Sequence, residues 1–110
     1  MSAPSELDSE FANVTVVKAA NVYFDGQVTS RTVKFSDGTR KTLGIMMPGD
    51  YKFDTSEPEL MEILAGEVEI QLANQDSWRT IRGGERFEVA AQSSFKIKVQ
   101  TVTDYCCSYG

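Results

Sequence analysis

Histidine does not occur anywhere in this 110-residue sequence. It is the side chain that enzymes most often use as a general base, and the one that most often binds transition metals. Both roles must therefore fall to other residue types if the protein needs them.

Cysteine is nearly absent too: the chain has two, and they are neighbours, Cys106 and Cys107. A disulfide between adjacent residues is strained, and no other cysteine is available as a partner. We therefore expect two reduced thiols, which suits a cytoplasmic protein.

Positive charge is scarce, since the net charge is −5. No basic stripe exists that could replace counterions on phosphates, so nucleic acid is not an expected partner. No apolar run approaches the roughly 18 residues of a membrane span, and residues 1–11 lack the basic start and apolar centre of a signal peptide. We expect no association with a membrane.

Short β-strands separated by turns are what the sequence does contain. Apolar and polar residues alternate in 67–72 and again in 94–99, which is typical of strands with one buried face. Asp-Gly pairs at 25–26 and 37–38 signal turns. Residues 59–64 and 67–72 read as the clearest hairpin, turning at Ala65-Gly66.

No segment has a 3.6-residue period over three turns, so the pattern predicts a single all-β domain, either a sandwich or a barrel. We place this domain at residues 17–110. Residues 1–16 are predicted to be an acidic, flexible N-terminal tail.

Two glycine-anchored segments, 49–66 and 84–95, resemble the paired motifs of the cupin family, a double-sheet jelly-roll barrel. In that family the motifs supply three histidines and a glutamate to a divalent metal. Here Glu59 stands at the glutamate position, while Phe53, Thr55 and Phe95 stand at the histidine positions. Phenylalanine cannot ligate a metal, so the resemblance implies a metal-free cupin.

A more specific resemblance covers nearly everything from about residue 17 onward. The pattern YxFxTxEPExM, from Tyr51 to Met61, followed by Gly66, is similar to the small cupin-type pyrimidine/purine nucleoside phosphorylases, as are "NVYFDGQVTS" and "YCCSY". The resemblance implies a pentosyltransferase of broad specificity. Such an enzyme cleaves purine and pyrimidine nucleosides with phosphate to free base and pentose 1-phosphate. It implies no cofactor, with inorganic phosphate as co-substrate.

Phosphorolysis requires charged groups that hold phosphate and stabilise a cationic sugar. Arg40 matches an arginine of the family pattern, and a guanidinium can bind phosphate bidentately; a solvated charge, like its neighbour Lys41, is the alternative. Glu57 and Glu59 are the candidate catalytic residues, because carboxylates bind ribose hydroxyls and stabilise an oxocarbenium-like centre. For Glu57, a turn cap is the alternative.

The other candidate substrate ligands are neutral. Thr55 is expected on the same strand face as Glu57 and Glu59, where its hydroxyl could contact the sugar. For the departing base the sequence leaves several groups open: Gln92, Ser94, Tyr51, Tyr105 or water. Tyr23, Phe24 and Phe53 could stack a base, although the two phenylalanines are expected in the core, as is Trp78 unless it lies at an interface.

Two further functions are compatible with the same residues. One is a metal-free cupin that binds a sugar or nucleotide without catalysis, and the other is an interaction domain with an acidic face. A two-fold homodimer is expected, because Leu60 and Leu64 should point outward from the strand whose Glu59, Met61 and Ile63 point inward.

Overall fold

The computed structural model describes residues 9–110, and no helix in that range is long and apolar enough to cross a membrane. The regular secondary structure of the described residues is β-strand, apart from one 3₁₀ turn at Phe24–Gly26. The strands are β1 (Thr15–Val16), β2 (Asn21–Tyr23), β3 (Val28–Lys34), β4 (Arg40–Met46), β5 (Gly49–Asp54), β6 (Glu59–Ala65), β7 (Glu67–Leu72), β8 (Arg79–Arg82), β9 (Arg86–Val89), β10 (Ser94–Val99) and β11 (Thr103–Tyr109).

Two antiparallel sheets enclose the core. The seven-stranded sheet has the order β1-β3-β4-β11-β6-β9, with β2 also paired to β3, and the four-stranded sheet has the order β5-β10-β7-β8. This arrangement confirms the predicted all-β, double-sheet jelly roll. The central strands β4, β11 and β6 of the larger sheet lie side by side, which matters for the site described below.

Alternation of side chains builds the core as the sequence predicts. Ile70 on β7 and Ile97 on β10 are both buried and face each other in the register of the smaller sheet, whereas Lys96 is exposed. Met61 and Ile63 of β6 are buried from the opposite sheet. Each fully buried side chain of this kind contributes about 1.5–3 kcal/mol, so the inward faces fix the strand register.

The expected hairpin of residues 59–64 and 67–72 is wrong. Both segments are strands, but β6 pairs with β11 and β9 while β7 pairs with β10 and β8. Gly66, with a φ of +108°, is the corner at which the chain passes from one sheet to the other. A Cβ atom there would lie 2.6 Å from Oγ1 of Thr103, so only glycine fits this corner.

The ordered domain begins before residue 17. Strand β1 pairs with β3 through Val16 and Val33, and the ring of Phe11 packs edge-on against Phe35 at 5.1 Å. Contacts with the β-domain thus begin inside the predicted tail, whose flexibility stays a prediction. Its residues 1–8 lie outside the described residues.

Candidate active site

An open cavity of about 110 Å³ lies between the two sheets. It is smaller than the roughly 300–1,000 Å³ of typical small-molecule sites, so only part of a small molecule would lie inside it. Most of its polar wall comes from three neighbouring strands of the larger sheet and from β3, namely Ser30, Thr42, Glu59, Tyr105, Cys107 and Tyr109; Asp54 of β5 adds a second carboxylate from the smaller sheet.

Strand register explains why these side chains meet. Cys107 of β11 lies opposite Thr42 on one side and Met61 on the other, and Tyr109 lies opposite Glu59. Residues two apart on a strand share a face, so the side chains of Cys107 and Tyr109 both face the cavity. The hydroxyls of Thr42 and Tyr109 share a hydrogen bond of 3.2 Å that joins β4 to β11.

Glu59 is half-buried inside this wall. Its Oε1 accepts a hydrogen bond from Sγ of Cys107 at 3.5 Å. Burial raises the pKa of the Glu59 carboxyl; the Cys107 hydrogen bond and the charge of Arg40 lower it, and the charge of Glu57 raises it. The structure thus places this predicted residue in the cavity, with its proton affinity tuned by its neighbours.

Arg40 and Glu57 form a charged pair outside the cavity lining, beside the ring of Tyr109, which is part of that lining; we call this pair with the Tyr109 ring the rim. Nη2 of Arg40 donates a hydrogen bond to Oε2 of Glu57 at 2.7 Å, and Cζ of Arg40 lies 4.3 Å above the centre of the Tyr109 ring. The hydrogen bond to Glu57 raises the pKa of Arg40. Both charged side chains are partly exposed, 45% for Arg40 and 40% for Glu57, so incoming solutes reach them.

Aromatic rings line the side of the cavity that faces the smaller sheet. The ring of Phe53 stacks on that of Phe95 at 5.5 Å and meets those of Phe24 at 5.4 Å and Tyr23 at 6.1 Å. Phe95 is in the core as expected, but Phe24 is 45% exposed, so its predicted core position is wrong. Phe24 follows Tyr23 at the β2–β3 turn, and its φ of +51° turns it out of the strand.

A metal does not fit the residues at this position. Phe53 and Phe95 occupy the places of two cupin histidines, and the residues described here contain no group of three His, Cys, Asp or Glu side chains that could hold an ion. The two carboxylates of the lining, Glu59 and Asp54, among aromatic neighbours are not a donor set for a divalent cation. Metal-independence remains a prediction from the sequence.

The structure does not bring Thr55 and Tyr51 to the cavity wall. Oγ1 of Thr55 donates to the carbonyl of Ala90 at 2.6 Å and accepts from the backbone N–H of Ser93 at 3.0 Å, which joins two loops. The hydroxyl of Tyr51 donates to the carbonyl of Met47 at 2.7 Å. Strand β5 ends at Asp54, so the two-residue period that grouped Thr55 with the glutamates does not apply.

Gln92 lies in the exposed turn between β9 and β10, with a φ of +50°, and is not part of the cavity wall. Two other expectations also change. Trp78 is 37% exposed with Nζ of Lys98 4.4 Å above its ring, so it is not in the core. Lys41, expected at the surface, is buried, with Nζ 5.4 Å from the Phe11 ring.

Sequence reasoning missed Cys107 and Tyr109 as site residues. The sequence did contain a pattern that predicts them. In the final strand Tyr105, Cys107 and Tyr109 are spaced two apart, so if one of them points to the inner face, all three do. Tyr105, which was a candidate, is buried in the wall, and burial raises its pKa while a hydrogen bond with Ser30 lowers it. Its phenol therefore keeps its proton at neutral pH.

Comparison with known proteins identifies the family. Residues 18–109 match the family model described as pyrimidine/purine nucleoside phosphorylase. The chain belongs to the pyrimidine/purine nucleoside phosphorylase family. A relative so named from Geotalea daltonii is 66% identical over 101 residues, which is 92% of this chain and 97% of that protein. One from Geobacter sulfurreducens is 60% identical with the same coverage.

Solved structures agree with the fold of this nucleoside phosphorylase family member. A protein of unknown function from Acinetobacter is 42% identical and superposes with a TM-score of 0.90, covering 94% of this chain and 100% of its own. A cupin-superfamily protein from Desulfitobacterium hafniense has a TM-score of 0.63 at 19% identity, with 76% of each chain covered. The latter supports the cupin fold alone.

Proposed function

We propose that this protein is a broad-specificity nucleoside phosphorylase that cleaves purine and pyrimidine nucleosides with inorganic phosphate, and that it needs no cofactor. The observation that supports this most is Glu59, a half-buried carboxylate in the wall of the cavity, with the cation Arg40 at the rim. Phosphorolysis needs this division of charge, negative around the sugar and positive around the phosphate.

In this proposal phosphate binds to Arg40 and one of its oxygens forms a bond to C1′ of the sugar. The bond from C1′ to the base breaks, and the base leaves with the bonding electrons. Glu59 accepts hydrogen bonds from sugar hydroxyls and stabilises the positive charge that develops on the ring. The products are the free base and a pentose 1-phosphate, so the reaction is a pentosyl transfer.

The aromatic side of the cavity suits the binding of a base by stacking, without hydrogen bonds to the polar groups that distinguish one base from another. Tyr23 and Phe53 present ring faces and edges, which attract purines and pyrimidines alike. The phenol of Tyr105 is held protonated by burial and is positioned to donate a hydrogen bond into the cavity. Loose stacking with few polar contacts to the base supports a broad substrate range.

The decisive experiment is incubation of the purified protein with inosine, with and without phosphate, while hypoxanthine is followed by absorbance. We expect hypoxanthine only when phosphate is present, and uracil from uridine under the same conditions. Glu59→Gln should lower kcat by about 100- to 1,000-fold, the usual loss for one preorganised electrostatic group. Nucleoside binding without base release would favour the non-catalytic cupin.

We also propose that the protein forms a homodimer through the outer face of the seven-stranded sheet. Leu43, Ile45 and Leu64 expose 37%, 39% and 47% of their surface there, and clustered apolar residues of this kind mark interfaces. A sedimentation mass equal to the 12.2 kDa of one chain would contradict the proposal.

Two free, buried thiols support the proposed cytoplasmic location.

A further inference from the structure

The charged pair at the rim has a property that the proposed reaction does not by itself require. The cation proposed for phosphate already has an anionic partner within the protein: Nη2 of Arg40 lies 2.7 Å from Oε2 of Glu57. A carboxylate and a phosphate use the same donors of a guanidinium. Phosphate must therefore compete with Glu57 for Arg40.

Arg40 itself is held in place by more than Glu57. Its guanidinium lies over the Tyr109 ring at 4.3 Å, and the Tyr109 hydroxyl is fixed by its hydrogen bond with Thr42. Such stacking of a cation on an aromatic ring is favourable even at an exposed site. Arg40 therefore keeps its position when Glu57 leaves.

The loop that carries Glu57 is held by a backbone hydrogen bond on each side of that residue. The backbone N–H of Gly110 donates to the carbonyl of Pro58 at 3.0 Å, and the N–H of Thr55 donates to the carbonyl of Ser93 at 2.9 Å. Movement of Glu57 away from Arg40 is accordingly a rotation of its side chain. The carboxylate stays at the rim, close enough to Glu59 for its charge to act on that residue.

We infer that Glu57 exchanges partners during substrate binding: phosphate takes its place on Arg40, and the released carboxylate binds the sugar hydroxyls beside Glu59. This inference rests on the proposed function. Phosphate bound to Arg40 frees Glu57 for the sugar, and a nucleoside bound to Glu57 frees Arg40 for phosphate. Phosphate and nucleoside therefore bind with positive coupling, in which each raises the affinity of the protein for the other. Coupling through a shared contact is reciprocal.

Sulfate, a tetrahedral anion that cannot accept the pentosyl group productively, allows the coupling to be measured without turnover. We expect saturating sulfate to lower the Kd of inosine about tenfold in calorimetric titrations, within the usual range of coupling between sites. In Glu57→Gln the ratio of the inosine Kd without sulfate to that with sulfate should fall to about one. Sulfate alone should bind this variant more tightly, because the side chain that competes with it for Arg40 is neutral. An unchanged ratio in that variant would overturn the inference.

The matched control is Glu67→Gln, which removes a carboxylate from a second exposed ion pair, that of Arg82 with Glu67 at 3.1 Å. It should leave both the coupling and the sulfate affinity unchanged; an equal gain in sulfate affinity would indicate a general charge effect and overturn the exchange. Inosine cleavage separates the two proposals. Cleavage without coupling would overturn only the exchange, whereas neither cleavage nor coupling would overturn both.

Discussion

The thiol of Cys107 lies 3.5 Å from Oε1 of Glu59, as a hydrogen bond between two neighbouring strands at the cavity wall. Burial, and then the nearby charge of Glu59, raise the pKa of Cys107 above its ordinary value, so the thiol keeps its proton and donates it to the bond. The hydrogen bond from Cys107 therefore lowers the pKa of Glu59, the proposed catalytic carboxylate.

We predict that Cys107→Ala moves the acid limb of the kcat/KM profile to higher pH. The thiol bond lowers the pKa of Glu59, so its loss leaves the carboxyl protonated over a wider range, and only the ionised form stabilises a cationic sugar. Inosine phosphorolysis should be measured across pH 4 to 8 for both proteins in the same buffers, so that the titration of phosphate cancels.

Cys107→Ser is the control for this profile, because its hydroxyl can still donate to Glu59. It should restore an acid limb close to that of the original protein. Acid limbs that coincide in the alanine variant and the original protein would show that the bond has no influence on Glu59.

Glu59 should also make the protein less stable as the pH rises. Burial raises its pKa above the ordinary value near 4.5, so the folded state binds the proton more tightly than the unfolded chain. Between those two pKa values the folded state carries more protons, and the free energy of unfolding falls with increasing pH. The favourable contribution is complete below the unfolded pKa and is lost as the pH passes through the folded pKa.

Glu59→Gln removes this titration. We expect the variant to melt at the same or a higher temperature than the original protein at pH 7.5, with its relative advantage decreasing toward pH 4. Thermal unfolding followed by circular dichroism at several pH values provides the measurement. A variant that loses stability at pH 7.5 and regains it at pH 4 would have the opposite sign and would contradict the assignment.

The sheet faces were predictable from the sequence because alternation is a local property. Ile70 and Ile97 needed only their immediate neighbours to be assigned inward. Sheet membership was not predictable in the same way: the turn at Gly66 looks like a hairpin locally, and only the pairing of β6 with β11 and of β7 with β10 shows that the chain changes sheets there. Those pairings depend on residues far along the chain.

The candidate site was predictable in part for a related reason. Glu59 begins a strand, and its inward direction follows from Met61 and Ile63 behind it. Thr55 lies in the loop before β6, where the two-residue period does not hold, and packing decides its direction instead. Cys107, in contrast, followed a period that could have been read from the final strand.

Arg40→Lys should raise the KM for phosphate with little effect on stability. A lysine keeps the charge but loses the forked geometry, and each charge-assisted hydrogen bond lost costs about 1.5–3 kcal/mol, or about 10- to 100-fold. Exposed ion pairs contribute only about 0–1 kcal/mol to folding. Steady-state kinetics with varied phosphate at saturating inosine give the KM.

Arg82→Lys serves as its control, because Arg82 forms the comparable exposed pair with Glu67. Its KM for phosphate should equal that of the original protein. If both lysine variants raise the KM to a similar extent, Arg40 has no specific role in holding phosphate.

Both thiols should resist modification in the folded protein. Cys106 and Cys107 are buried, and burial raises the pKa of Cys106 to about 11, so neither forms much thiolate at pH 8. We expect an aromatic disulfide reagent to react with neither thiol at pH 8, and with two thiols per chain after denaturation. Rapid reaction of Cys107 in the folded state would show that the cavity wall opens, and rapid reaction of Cys106, on the other face of the strand, would show that the outer face of the sheet does.

Gly44 determines where the Tyr105 ring lies. It sits on β4 opposite Tyr105 of β11, and a Cβ atom at this position would contact the Thr29 carbonyl and lie 2.8 Å from the Tyr105 ring. The ring fills the space that the missing side chain leaves. Any larger residue must displace either the neighbouring strand or the phenol that lines the cavity.

Gly44→Ala should therefore lower both stability and activity. Overpacking of this kind costs about 1–3 kcal/mol, which for a domain of this size lowers Tm by roughly 4–20 °C, and a displaced Tyr105 should reduce kcat for inosine. Gly84→Ala is the control: its φ of +92° strains alanine, but no atom lies within 4 Å of the new Cβ. That variant should lose some stability and keep its kcat, and a Gly44→Ala protein with unchanged kcat would exclude Tyr105 from the reaction.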